Sequence, residues 1–307
     1  PMFPVLGRPL LSHTFDLLQS AGIDDIAVNI HHLPNSIINY FEKENPPPFN
    51  LHFSTEEHIL GTAGGIKKMQ GFLEDGPFIT INSDIITDID LNKVINFHKN
   101  NNSKLTLVVR QDISPEQYDS IEICKNGRIV HFIGASSMNI PENTTRVMFT
   151  GIQIMEPDIF ERIPEGQFCG TTEDIFPQMI QDDVPIYGYL HEGYWNDMGN
   201  RESYLQVNID ALNKKVTLKE ASTYQSNSPS IIPPALVGPN CLISKDSKIG
   251  SHSVIGPNCI IESGTVIENS ILWGGVTVGA GTTIKRSVIA QNKTIGGGKN
   301  IIDQSII

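Results

Sequence analysis

A mixed, mainly parallel α/β fold of Rossmann-like type, followed by a short C-terminal left-handed parallel β-helix, is the fold class this sequence predicts. Three observations predict it. Short apolar strands alternate with helical stretches over the first two thirds of the 307 residues. The apolar run Phe78-Ile79-Thr80-Ile81 stops abruptly at Asn82-Ser83-Asp84, as a strand buried on both faces does at its carboxyl end. From Val237 onward an Ile or Val recurs every six residues, through Ile243, Ile249, Ile255, Ile261 and Ile267, and hexapeptide periodicity is the signature of a parallel β-helix.

Taken in order, the chain enters a helix over 10–21 that Gly22 ends. A buried strand over 26–30, a helix over 34–43 and the stiff connector Pro46-Pro47-Pro48 follow. A short strand over 51–53 leads to Leu60-Gly61-Thr62-Ala63-Gly64-Gly65, read as a glycine-rich loop running into a helix. Such a junction offers unpaired N–H groups to an anion or a base. Asp84 then sits where α/β sheets place their ligands, outside a strand end. It either holds a hard cation such as Mg²⁺ or caps the next element, while Asp88 and Asp90 read as turn and cap residues. A helix over 91–99 and strands over 105–110 and 120–124 come next, then a hairpin turn at Asn126-Gly127. In the strand over 149–155, Gly151 marks a bulge or the close approach of a ligand. Asp197 supplies a second carboxylate before a helix over 201–212.

The boundaries expected are a catalytic domain over 1–215, a linker over 216–230 and the β-helix over 231–307. Gly238-Pro239-Asn240-Cys241 and Gly256-Pro257-Asn258-Cys259 lie eighteen residues apart, so the two cysteines should stack in neighbouring coils as reduced interior residues. Later repeats tighten to seventeen, as between Ile267 and Ile284, and about four coils fit. The β-helix is expected to carry homo-oligomerisation through its open ends and flat faces.

Composition narrows the function. With 39% hydrophobic and 18% charged residues the chain is globular, and it holds no run able to span a bilayer and no signal-peptide pattern at its start. The cysteines Cys124, Cys169, Cys241 and Cys259 show no metal-ligand spacing, which suits a reducing cytoplasm. A net charge of −12 argues against broad nucleic-acid binding. An anionic small substrate then needs local positive charge or a bridging metal. His31-His32 is an unfavourable metal pair, since neighbours on a strand end face opposite ways.

Together the phrases Pro1-Met2-Phe3-Pro4-Val5-Leu6-Gly7-Arg8-Pro9-Leu10-Leu11, Leu60-Gly61-Thr62-Ala63-Gly64-Gly65, Asn82-Ser83-Asp84, Phe149-Thr150-Gly151-Ile152 and Trp195-Asn196-Asp197-Met198-Gly199 resemble the sugar-phosphate nucleotidyltransferases. Within them the resemblance is greatest to the mannose-1-phosphate guanylyltransferases. It implies attack of a sugar 1-phosphate on the α-phosphorus of an NTP, with GTP favoured and pyrophosphate leaving. Asp84 and Asp197 would bind the Mg²⁺. Gly61, Thr62, Ala63, Gly64 and Asn82 would line the nucleotide, and Gly151 would pass under the sugar. Glu173, or Asp174 beside it, would hold the sugar hydroxyls. Glucose 1-phosphate with UTP or dTTP is the alternative pair, and a non-catalytic regulatory homologue the alternative class. Two departures bear on that choice. The family's first strand and phosphate-gripping glycine-rich loop fall upstream of Pro1, which implies a gap in the sheet. Ile133-Gly134-Ala135 stands where many relatives carry Glu-Lys-Pro, whose lysine meets the sugar phosphate.

Overall fold

The computed structural model describes residues 1–111, 121–138, 140–220 and 230–307. Most of the expected linker, 221–229, and the first residue of the strand expected at 120 lie outside the described residues. The chain passes back and forth between two units, one of Leu17–Asn82 with Ile89–Gly193, the other of Pro1–Asp16, Ser83–Asp88 and Tyr194–Ile307.

The first unit is built on a seven-stranded mixed sheet with helices packed on it. Its long central strand, Thr145–Met155, runs antiparallel to Phe78–Ile81, Leu105–Gln111 and Ile121–Ile123. Ile186–Leu190 then pairs in parallel with Leu105–Gln111. A second parallel pair, Asp25–Ile30 with Asn50–Thr55, forms its own two-stranded sheet. The expected mixed α/β class is present, with fewer parallel neighbours than simple alternation suggests. The hairpin strands Ile121–Ile123 and Ile129–Phe132 deliver the chain to Thr145–Met155 without a crossover helix, and a crossover is what a parallel neighbour requires. Leu105, Leu107, Val108 and Val109 are wholly buried in a row, as a strand covered on both faces must be.

The second unit contains the β-helix. Three parallel ladders climb it, one of five strands and two of four. Their registers step by one coil: Leu236 opposite Val254, Val254 opposite Ile271, Ile271 opposite Val288. The eighteen- and seventeen-residue spacings in the sequence are these coil lengths. Ile249, Ile255, Ile267, Ile284 and Ile289 fill the interior, while Ser253, Thr265, Ser270, Thr282 and Ser287 are buried at the corners. Their hydroxyls donate to backbone carbonyls, as Ser270 does to Glu268 O at 2.7 Å and Thr282 to Gly296 O at 3.1 Å. Cys241 and Cys259 are free thiols that donate to Gly256 O and Trp273 O at 3.1 and 3.2 Å.

The five-stranded ladder is apolar on both sides. Val237, Ile255, Leu272 and Ile289 point into the prism. Leu236, Val254, Ile271 and Val288 point outward and are buried with Tyr204, Leu205 and Ala211 of the helix Arg201–Leu212 and with Val5, Leu6 and Leu10. Asn208 stitches this seam by accepting from Leu6 N at 3.0 Å, and the Tyr204 hydroxyl donates to Pro4 O at 2.7 Å. On a second face the outward position is more polar, as at Lys248, Thr283 and Asn300, and on the third it mixes exposed Leu242 and Ile260 with Thr277 and Thr294.

Truncating the outward ladder should cost as much as truncating a core. Ile271→Ala is expected to destabilise the protein by about 3 kcal/mol. Leu242→Ala, at a position 67% exposed on another face, should stay within about 0.5 kcal/mol. Urea denaturation of the two variants checks the contrast.

Candidate active site

Asp84 and Asp197 meet through strand pairing. After Phe78–Ile81 the chain turns at Ser83-Asp84 into Ile85–Thr87, which pairs antiparallel with Trp195–Asp197. Asp197 lies opposite Ile85, and Met198 N donates to Asp84 O at 2.9 Å. Asp88 closes the far end of the pair, donating its N–H to Tyr194 O at 3.2 Å and accepting Tyr194 N on its carboxylate at 2.8 Å. The helix cap that the sequence left open to Asp84 belongs instead to Asp90, which accepts from Asn92 N and Lys93 N ahead of Leu91–Asn100. That leaves Asp84 exposed and uncommitted to a helix.

Burial, and after it the charge of Asp84, pushes the Asp197 carboxyl above the ordinary carboxylate range, against the opposing pull of the Gly199 backbone hydrogen bond. Oδ1 of Asp197 is buried without a hydrogen-bond partner, as is Oδ1 of neighbouring Asn196. A buried acceptor left unpaired costs about 1–3 kcal/mol. Two carboxylates that repel one another, one with an orphaned oxygen, fit a hard divalent cation. Mg²⁺ takes one or two protein carboxylates and completes its shell with water and phosphate. Among the described residues no cluster of three or more His, Cys, Asp or Glu could hold a metal; His31 instead donates to Glu56 O at 2.9 Å.

In the other unit, the glycine-rich stretch is not a loop. The α-helix Gly61–Lys68 begins at its first glycine. The glycines give clearance. At Gly61, with φ of +76°, a Cβ would lie 2.5 Å from Cys169 O; at Gly64 it would lie 2.8 Å from Gln167 O. At Gly65 it would strike the Asn29 amide and the Glu56 carboxylate. Cys169 O accepts from Ala63 N and Gly64 N at 2.9 and 3.1 Å, and Cys169 N donates to Leu60 O at 2.9 Å. The backbone N–H groups the sequence offered to a base therefore narrow to those of Gly61 and Thr62. Glu56, a residue sequence reasoning missed, supports the turn from behind: it is buried and accepts Leu60 N at 3.0 Å and the Asn29 amide at 2.8 Å. Its signal was local, a carboxylate four residues ahead of the turn, but one glutamate in a Glu56-Glu57 pair does not announce which is buried.

Gly151 sits at the register shift of Thr145–Met155 with φ of +84°. What approaches it is Asn82: a Cβ there would lie 2.7 Å from the Asn82 amide nitrogen, and Asn82 N donates to Gly151 O at 2.9 Å. Of the two acids at 173 and 174, Asp174 is spent on Gly170 N at 2.7 Å, whereas exposed Glu173 accepts the hydroxyl of Thr172 at 2.9 Å and lies over Gly170. Lys67 is no free surface charge, since its ammonium donates to Phe160 O at 2.8 Å.

Residues 1–214 match the nucleotidyl transferase family model. The chain belongs to the nucleotidyl transferase family. Residues 214–307 of this nucleotidyl transferase match the EIF2B subunit epsilon LbH domain. The mannose-1-phosphate guanylyltransferase of Mycobacterium tuberculosis is 28% identical to it over 279 residues, 91% of this chain and 75% of that protein. The UTP–glucose-1-phosphate uridylyltransferase of Synechocystis is 28% identical over 230 residues, 70% of this chain and 58% of that protein. Among solved structures, HddC from Yersinia pseudotuberculosis complexed with GMP-PN superposes with a TM-score of 0.57 at 25% identity, covering 68% of this chain and 88% of that one.

Two outcomes follow from this geometry. Gly61→Ala should destabilise the nucleotidyl transferase by about 1–3 kcal/mol, because its backbone is left-handed and its new methyl group meets a carbonyl; thermal melting checks it. Asp197 sets a pH dependence. A carboxyl raised in the folded state binds its proton more tightly there than in the unfolded chain. Without divalent cations, stability relative to Asp197→Asn should fall as pH climbs from the ordinary carboxylate range through the raised value, then level off. Melting temperatures of the two proteins in a chelator across that range test the sign.

Proposed function

We propose that this chain is a Mg²⁺-dependent sugar-1-phosphate nucleotidyltransferase that joins GTP and mannose 1-phosphate into GDP-mannose and pyrophosphate. The observation that carries the reading is the Asp84–Asp197 pair with its orphaned, buried Oδ1, in a chain of the nucleotidyl transferase family. The choice of guanine and mannose draws support from the guanylyltransferases among its relatives and from the likeness to HddC with GMP-PN.

Asp84 and Asp197 would hold the Mg²⁺, which when bound neutralises phosphate charge and so favours departure of pyrophosphate. The chain's own residues then bind and orient. Gly61 and Thr62 present N–H groups at the start of Gly61–Lys68, where the helix dipole favours an electron-rich ligand edge. Asn82 would line the nucleotide, and Glu173 would accept from sugar hydroxyls. Gly151 allows Asn82 its place. No protein nucleophile is needed, because the sugar phosphate oxygen itself forms the new bond to the α-phosphorus as the bond to pyrophosphate breaks.

A second reading keeps the fold and drops the reaction. The match of residues 214–307 to the EIF2B subunit epsilon LbH domain, with Ile133-Gly134-Ala135 in place of Glu-Lys-Pro, favours a regulatory homologue. Pyrophosphate release across four NTPs and a panel of sugar 1-phosphates separates the two. The expected result is release with GTP and mannose 1-phosphate, abolished by chelation and reduced on the order of 10³-fold in Asp84→Asn and Asp197→Asn. Release with UTP and glucose 1-phosphate would reassign the substrates. The native full-length protein, if silent with every pair while still folded, would support the regulator.

A further inference from the structure

The segment that carries Glu173 and the turn that carries Gly61 and Thr62 are far apart in sequence and bonded into one another. Cys169 N reaches Leu60 O, and Cys169 O takes both Ala63 N and Gly64 N. Two residues on, Thr171 N donates to the Thr62 hydroxyl oxygen at 2.8 Å, and the two threonine hydroxyls lie 3.0 Å apart. Thr171 is 3% exposed, whereas Thr62 is open to solvent. Glu173 and Asp174 follow at once, with Asp174 folded back on Gly170 N at 2.7 Å.

The donor count matters here. A threonine hydroxyl has one hydrogen and two lone pairs. That of Thr62 accepts from Thr171 N and shares a second bond with Thr171 Oγ1, so two of its three positions are turned to the 169–174 segment and one is left for a ligand. Replacing either segment's geometry disturbs the other, because the contacts are backbone to backbone and the glycines leave no slack: a methyl group at Gly61 or Gly64 would already overlap Cys169 O or Gln167 O.

We propose that Thr62 is a positioning residue that couples the two substrate sites, so that a nucleoside triphosphate held on Gly61–Thr62 tightens the 169–174 segment around the sugar 1-phosphate. This rests on the nucleotide and sugar roles proposed above. The coupling is reciprocal: each substrate strengthens the hold on the other by the same factor.

Amide exchange read by mass spectrometry on the full chain tests it, with and without Mg²⁺ and each of four NTPs. Without ligand, Thr62→Val should speed exchange at Ala63 and Gly64 tenfold or more, and Thr62→Ser, which keeps the hydroxyl, should not. With the effective triphosphate, protection in the parent protein and in Thr62→Ser should extend to 169–174; in Thr62→Val it should stop at 61–64. In equilibrium binding with a non-hydrolysable triphosphate, Thr62→Val should cut about tenfold from the factor by which each substrate tightens the other while leaving the affinity for either one alone little changed, and Thr62→Ser should restore it. Protection confined to 61–64 in the parent protein overturns the coupling while leaving the nucleotide site standing. Weaker binding of each substrate alone with the coupling factor unchanged, together with a lowered melting temperature, reduces Thr62 to a structural bond. Protection of neither segment by any triphosphate overturns the nucleotide role itself, and the coupling falls with it.

Discussion

The pairing of Ile85–Thr87 with Trp195–Asp197 is the constraint on which the chemistry depends. Each strand has only three residues, so neither would hold alone. Buried Ile85 and Ile86 and the reciprocal bonds between Asp88 and Tyr194 keep them in register. A slip of one residue would turn Asp197 to the opposite face. The register that sets the two acids side by side also drives the Asp197 carboxyl upward and strands one of its oxygens. Stability is given up where Asp197 keeps a buried oxygen without a hydrogen bond, which is the usual mark of a place kept for a ligand.

Around the glycine-rich turn the constraint is clearance instead of charge. Three backbone groups, Ala63 N, Gly64 N and Leu60 O, converge on Cys169, and side chains longer than glycine at 61 or 64 would meet carbonyl oxygens. Glu56 completes the arrangement with two accepted hydrogen bonds, so this buried carboxylate is satisfied where Asp197 is not. The comparison separates a carboxylate used to hold a backbone in place from one left with capacity to spare.

Much of this was readable from residues in order. The hexad rhythm is local and repeats, so the coil lengths follow from counting. The helix Arg201–Leu212 has Asn200 as an N-cap in a capping box with Ser203, a short-range device. Asp84 stands out by its strand-end position and by resemblance, Asp197 by its place ahead of a helix and by resemblance. What escaped was non-local. Nothing near Gly61 signals that Cys169 will accept its neighbours' N–H groups, so residues in order suggest an open loop where the structure has a turn clipped at long range. The direction of Thr145–Met155 was hidden in the same way, because a strand's own pattern does not say which way its neighbours run.

The outward ladder of Leu236, Val254, Ile271 and Val288 has a bearing on how this chain can be divided. Sequence rhythm suggests a module that could be lifted out at residue 231. Each of those four side chains gains about 2 kcal/mol from leaving water, and the helix Arg201–Leu212 is what covers them. An excised β-helix would carry a greasy stripe along one edge of its length, and the remainder would lose the floor beneath its last helix. The repeat and its neighbour are therefore inherited together: a recombination breakpoint between them would yield two sticky halves, while one placed before Tyr194 would have to carry the Pro1–Asp16 segment with it.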